Sequence, residues 1–235
     1  MKPRFVLSAL IIAAAATILL LPENAFAQKL DIAELDTTCI ATELQDCHVL
    51  TSGRLNVEWG ENEGEPLFAW QTQSGFTTEN GISGGFVLLH YLDGSWTLFD
   101  SGFDAARFEA PRLSAEGSML HIAGYLGGTG AYNTDRLYVW EDGGTPASRN
   151  EWTRIDIESW RDNIDTLLPK GLEIWKGVDF DFSDFFYGEL TARTPLWRAD
   201  DANCCPSGGW AFIKFEIDQN RLVAIRLDHL PPTEQ

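Results

Sequence analysis

Positive charge is what this sequence has least of. Lys and Arg together number 17 against 35 Asp and Glu, a net charge of −18. A phosphate backbone is bound by clustered cations, so nucleic acid is excluded as a partner class. The same negative field repels anionic lipid and anionic polysaccharide, while it favours solubility, cations and basic partners. Beyond residue 27 there is no long apolar run, so no membrane insertion is expected once the N-terminal segment is removed. Several catalytic signatures are also missing. No Cys-x-x-Cys spacing occurs, Ser207 lacks the G-x-S-x-G setting of a nucleophile elbow, and the glycine-rich 127–130 loop carries no Lys to hold phosphate. His48, His90, His121 and His229 are scattered along the chain, and His90 and His121 read as packed strand residues.

The N-terminus does have a pattern. Lys2 and Arg4 precede a mostly apolar stretch over 6–21, and Ala25-Phe26-Ala27 fits the small-x-small cleavage rule. Residues 1–27 therefore read as a signal peptide whose cleavage leaves Gln28 first. The stretch is short for a membrane span, which needs about 20 apolar residues. Gln28, not a cysteine, stands directly after the cleavage site, which argues against a lipid-anchored form. The expected location is the bacterial periplasm or exterior. Residues 28–235 are expected to form a single β-rich domain, long enough to bury a core without help from disulfides.

The chain has 4 cysteines, Cys39, Cys47, Cys204 and Cys205, all beyond the cleavage site. Export makes their oxidation the expected state. They allow three pairings. Closeness in sequence favours Cys39 with Cys47 and Cys204 with Cys205, whereas the other two pairings tie the N-terminal segment to the C-terminal turn. Neighbouring Cα atoms lie about 3.8 Å apart, below the usual disulfide span, so an adjacent pair needs a stiff turn. The pairing stays open at this level.

From residue 54 onward the chain reads as short strands between Gly turns. Candidate strands cover 54–59, 66–71, 85–92, 95–100, 119–125, 136–141, 152–157, 172–183, 185–197, 210–217 and 221–227. Asp93-Gly94 is the strongest hairpin signal, and a short helical turn is expected around 40–46. One helix is expected near 159–168, because Trp160, Ile164, Leu167 and Leu168 fall on one face, Asp156 or Ser159 can cap it, and Pro169 and Gly171 end it. In 210–217, Ala211, Ile213, Phe215 and Ile217 alternate with Phe212, Lys214 and Glu216, a strand with one apolar face. The fold class is mainly β, an antiparallel sandwich or barrel. The near-equal spacing of Trp96, Trp152 and Trp210 allows a small propeller-like repeat as the alternative.

Four features bear on function. The first is the turn Asp200-Asp201-Ala202-Asn203-Cys204-Cys205-Pro206-Ser207-Gly208-Gly209 between two strands. Its acidic neighbours disfavour a thiolate, so a structural loop is expected rather than a redox or zinc site. On Asp201, Ala202, Cys204, Cys205, Pro206, Ser207 and Gly208, the stretch 190–227 resembles a tail module of uncharacterised bacterial exported proteins. The resemblance covers a small part of the chain and implies no activity. Second, Asp179, Asp181 and Asp184 have the spacing that opens a calcium loop, but Asp184 stands where that loop needs Gly and Leu190 where it needs Glu. Strand alternation, with Val178, Phe180 and Phe182 inward, explains the run equally well, so no cofactor is expected and calcium is the minor reading. Third, the chain holds 9 Trp. Most suit a core, but Trp197 and Trp210 bracket the cysteine turn and are expected to line a concave surface with Asp201 and Asn203. Fourth, the many carboxylates keep a hydrolase open, since a glycosidase needs only two well placed. The expected role is a non-enzymatic binding module for an envelope or extracellular ligand such as a glycan. The alternatives are a hydrolase acting on an envelope polymer and a structural or protein-interaction domain.

Overall fold

The computed structural model describes residues 29–57, 63–79, 81–115, 117–126, 132–140, 152–181 and 189–233. Residues 1–27, read above as a signal peptide, the glycine-rich stretch 127–130 and Asp184 lie outside these residues. Among them the chain is mainly β, with four antiparallel sheets and one short helix, and the sheets do not close into a barrel.

The first sheet is a meander of β1 (Gln45–Asn56), β2 (Pro66–Thr77), β3 (Gly81–Leu92) and β4 (Ser95–Ala105). Asp93-Gly94 closes the β3–β4 hairpin, with φ of 48° and 74° at the two loop residues. Positive φ at both positions gives the turn twist that matches paired strands. Beyond it, β5 (Arg107–Phe108) pairs with β8 (Gly124–Tyr125) in a two-stranded ribbon. A second four-stranded sheet joins β6 (Arg112–Leu113), β7 (Met119–Ile122), β9 (Arg136–Trp140) and β10 (Trp152–Ile155). The third contains β11 (Asp179–Phe180), β12 (Leu190–Pro195), β13 (Trp210–Asp218) and β14 (Arg221–Leu230).

Strand alternation decides how these sheets stack. Leu120, Ile122, Tyr138 and Trp152 of the second sheet join Phe68, Trp70, Phe86 and Leu88 of the first in one apolar cluster. Their neighbours Met119, Leu137 and Ile155 join Ala192, Ala211, Ile213, Phe215, Leu222 and Ala224 of the third. The second sheet is therefore the middle layer, covered on both faces, which is why all of β7 and the start of β9 are buried. The far face of the first sheet is covered too: Ala69, Val87 and Leu89 pack under Ile32 and Leu35 of the N-terminal segment. The far face of the third sheet has no such cover among the described residues. There Trp210 is 45% and Phe212 47% exposed.

Two buried glutamines hold the N-terminal segment down. Gln71 Nε2 donates to the Leu35 and Thr38 carbonyls, Gln71 Oε1 accepts from Ile40 N at 2.9 Å, and Gln73 Nε2 donates to Ile40 O at 3.0 Å. The Cys39–Cys47 disulfide, with Cα atoms 6.3 Å apart, ties the same segment to β1. This is the local pairing.

Several expectations fail in detail, although the one short helix lies within 159–168 as expected. This helix, α1, spans Arg161–Ile164, because the bonds before it are of the tighter three-residue kind (Arg161 N to Glu158 O, Asp162 N to Ser159 O). Neither expected cap acts on it. Asp156 accepts from Glu158 N, and Ser159 reaches sideways to β14, donating to Leu222 O at 3.0 Å and accepting from Leu222 N at 2.8 Å. Trp160, Ile164, Leu167 and Leu168 do share one apolar face, packed on the third sheet. No helical turn forms at 40–46; the turn lies earlier, at 33–37, and Gln45 already opens β1. Among the described residues of the expected strand over 172–183, Asp179–Phe180 alone pairs as a strand, beside a bridge from Glu173 to Trp197.

Candidate ligand groove

The cysteine turn joins β12 to β13, and its carboxylate organises it. Asp201 accepts from Arg198 N at 2.7 Å, Ser207 N at 2.7 Å and Ser207 Oγ at 2.6 Å. The Ser207 hydroxyl first, then the two backbone N–H groups, hold the Asp201 carboxyl below its ordinary pKa. The sulfurs of Cys204 and Cys205 are paired with each other, and both residues are exposed. Gly209 closes the turn at φ 89°, where a Cβ would collide with Leu230 O. His229 Nε2 lies 2.8 Å from Gly208 O and fixes the turn to β14.

Trp197 and Trp210 lie on one groove, as their bracketing of the turn suggests, but not in the same way. Trp197 is 1% exposed, with its ring stacked on Trp175 at 5.9 Å. It forms wall and floor rather than an open stacking platform, and its indole N–H is buried with no acceptor among the described residues. Trp210 stays exposed because it falls on the outward register of β13, opposite Pro195 and Leu230. Asp201 and Asn203 are not among the residues that line this groove. Asp201 is spent on its own loop, and Asn203 is exposed at the tip.

The groove is open and holds about 300 Å³ between the third sheet and the β8–β9 region. Tyr125 and Tyr132, 39% and 55% exposed, face it together with Trp210. Between them lies a polar floor. His121 Nε2 is 2.8 Å from Asp135 Oδ1, and Asn133 Nδ2 donates to Asp135 Oδ2 at 2.9 Å. Asn133 also pairs with the Val178 backbone in both directions, at 2.9 and 2.8 Å, which joins the middle layer to the segment before β11. Lys176 and Arg193 supply cationic groups at the rim; Lys176 Nζ is 5.8 Å from the Trp197 ring and Arg193 lies over Trp210. Burial, then the negative charges of Glu109, Asp135 and Asp179, push the Tyr125 phenol up. It stays a neutral hydroxyl, able to donate and accept.

The calcium reading finds little here. No group of three or more His, Cys, Asp or Glu is placed to hold a metal ion among the described residues. Asp179 pairs with Arg193 at 3.4 Å. Val178 is buried and Asp179 and Asp181 are exposed, as the strand alternation predicts, while Phe182 and Asp184 lie outside the described residues.

Sequence reasoning missed Tyr125, Tyr132, Asn133 and Lys176. The two tyrosines flank the glycine-rich loop that reads as a simple turn, and their position beside it was the available signal. Nothing local marks Asn133 or Lys176. Comparison with protein-family models, curated proteins and solved structures returns no match, so geometry alone carries the functional reading.

Proposed function

We propose that this chain is an exported, non-enzymatic binding module whose groove holds a glycan of the cell envelope or exterior. The observation that carries the reading is the groove itself: three exposed aromatic rings, Tyr125, Tyr132 and Trp210, around a polar floor. Aromatic faces stack on the apolar faces of sugar rings, and fixed donors and acceptors read hydroxyls. The His121–Asp135–Asn133 chain is already hydrogen-bonded, so its orientation is set before a ligand arrives. Export is supported by the 1–27 pattern and by the Cys39–Cys47 disulfide, which suits an oxidising compartment. The hydrolase alternative has weaker support, because both oxygens of Asp135 are already engaged. The protein-interaction alternative draws on the exposed Trp210, Phe212 and Leu230.

A glycan-array measurement on the chain from Gln28 tests the reading. Binding to one glycan class is expected, falling about tenfold or more in Trp210→Ala and Tyr132→Ala, the loss of one stacking ring. A flat array, or variants that bind as wild type, would sink it. Mass spectrometry of the protein secreted by a bacterial host is expected to find Gln28 as the first residue.

A further inference from the structure

We infer that the groove is one end of a longer trough along the face of the third sheet that no other described residue covers, and that the ligand is an extended, uncharged glycan chain rather than a single sugar. The inference rests on the glycan reading above and adds its length and charge.

The trough is visible in shared walls. A second, larger hollow of about 460 Å³ adjoins the first, and Asp179, Phe180 and Arg193 line both. Strand register sets out its floor. Arg193, Phe212 and Asp228 stand side by side across β12, β13 and β14, and Thr191, Lys214 and Arg226 form the next row. Trp210 and Phe212 are two residues apart on one strand and so point the same way, with backbone positions about 7 Å apart. Trp210 serves the first hollow and Phe212 the second. Two exposed rings on one strand make a repeated stacking surface, which suits a ligand that itself repeats.

Charge selects among repeating ligands. Cations are concentrated along the trough, yet carboxylates match them: Arg193 pairs with Asp179 at 3.4 Å, Lys214 with Glu189 at 3.1 Å and Arg226 with Asp228 at 2.8 Å, while Lys176 at the groove rim is balanced by the exposed Asp181. Paired ions offer fixed donors and acceptors to hydroxyl groups without a net field. On a chain of net charge −18, nothing here compensates the repulsion of a polyanion. The face is also too evenly paired to draw a strongly basic partner.

Isothermal titration with β-1,4-linked N-acetylglucosamine and β-1,4-linked glucose oligomers, each as disaccharide, tetrasaccharide and hexasaccharide, tests this. Affinity for one series is expected to climb with length, about tenfold or more from disaccharide to hexasaccharide. Phe212→Ala is expected to remove most of that gain with little effect on the disaccharide, and Phe212→Tyr, which keeps the ring, to restore it. Phe212 is 47% exposed, so the variants should fold, and a melting curve checks this. Equal affinity at all lengths, or a Phe212→Ala variant that keeps the gain, overturns the extended trough while leaving the groove intact. Tighter binding of a polyanionic oligosaccharide, alginate, overturns the charge assignment. No binding by either neutral series at any length, alongside a flat array, overturns the glycan reading itself.

Discussion

At the scale of single residues, burial separates side chains that look alike in sequence. Trp197 and Trp210 both flank the cysteine turn, yet one is core and the other faces solvent. The alternation of β13 places Trp210 outward, while Trp197 falls past the end of β12 where the chain dips under Trp175. Asp201 was a natural ligand candidate, and it is a loop organiser instead. Its depressed pKa means that its contribution to stability is present above the ordinary value of 3.8 and is lost as pH falls through the lower folded value. Asp201→Asn is therefore expected to lower the melting temperature at neutral pH, with the difference shrinking as the pH falls below 3.8 and the wild-type carboxylate protonates in its turn. A constant difference across the acid range would contradict the hydrogen-bond assignment. Gln71 makes the opposite point, since a buried amide in a strand gives no sign of its task. Replacing it with Leu strands the carbonyls of Leu35 and Thr38 and the N–H of Ile40, and a loss of about 1–3 kcal/mol is expected in urea denaturation.

At the scale of elements, the strands and the place of the one short helix were largely legible, and the helix's length was not. Asp93-Gly94, the alternation in 210–217 and the apolar runs of β7 and β9 mark their strands by local chemistry alone. The 159–168 segment has the period of a helix, but tertiary contacts claim its polar side chains. Ser159 bonds the Leu222 backbone, and Asn163 donates to Ala224 O at 2.6 Å and accepts from Ala224 N at 3.3 Å. Together they occupy the open edge of β14 as a further strand would, and so protect it from pairing with another chain. Asn163→Ala is expected to cost about 1–2 kcal/mol. It should also speed hydrogen exchange at the Ala224 amide, a local readout that a general loss of stability would not single out. Gly94→Ala forces a side chain at φ 74°, and a loss of about 1 kcal/mol is expected from the same denaturation measurement.

At the scale of the molecule, the stack of three sheets explains where a site can be. Two sheets are covered on both faces, one by its neighbours and one by the N-terminal segment. The outer face of the third has no cover among the described residues, and the groove lies at its border. The N-terminal cover is held by one short disulfide loop, so the double variant Cys39→Ser, Cys47→Ser is expected to lose about 2–3 kcal/mol while keeping ligand binding at the distant groove.

Composition and local pattern were enough to determine the β class, the hairpin at Asp93-Gly94, the negative net charge, and the outward-facing register of Trp210 in its strand. These follow from side-chain alternation, turn chemistry and net charge, which are properties of short stretches or of the whole composition. Only the tertiary structure decided that Trp197 is buried, that Asp201 serves its own loop, and that Tyr125, Tyr132, Asn133 and Lys176 meet beside β13. Such meetings depend on which face of which sheet is covered. That is set by contacts between residues far apart in the chain, such as Asn133 with Val178, which no local pattern records.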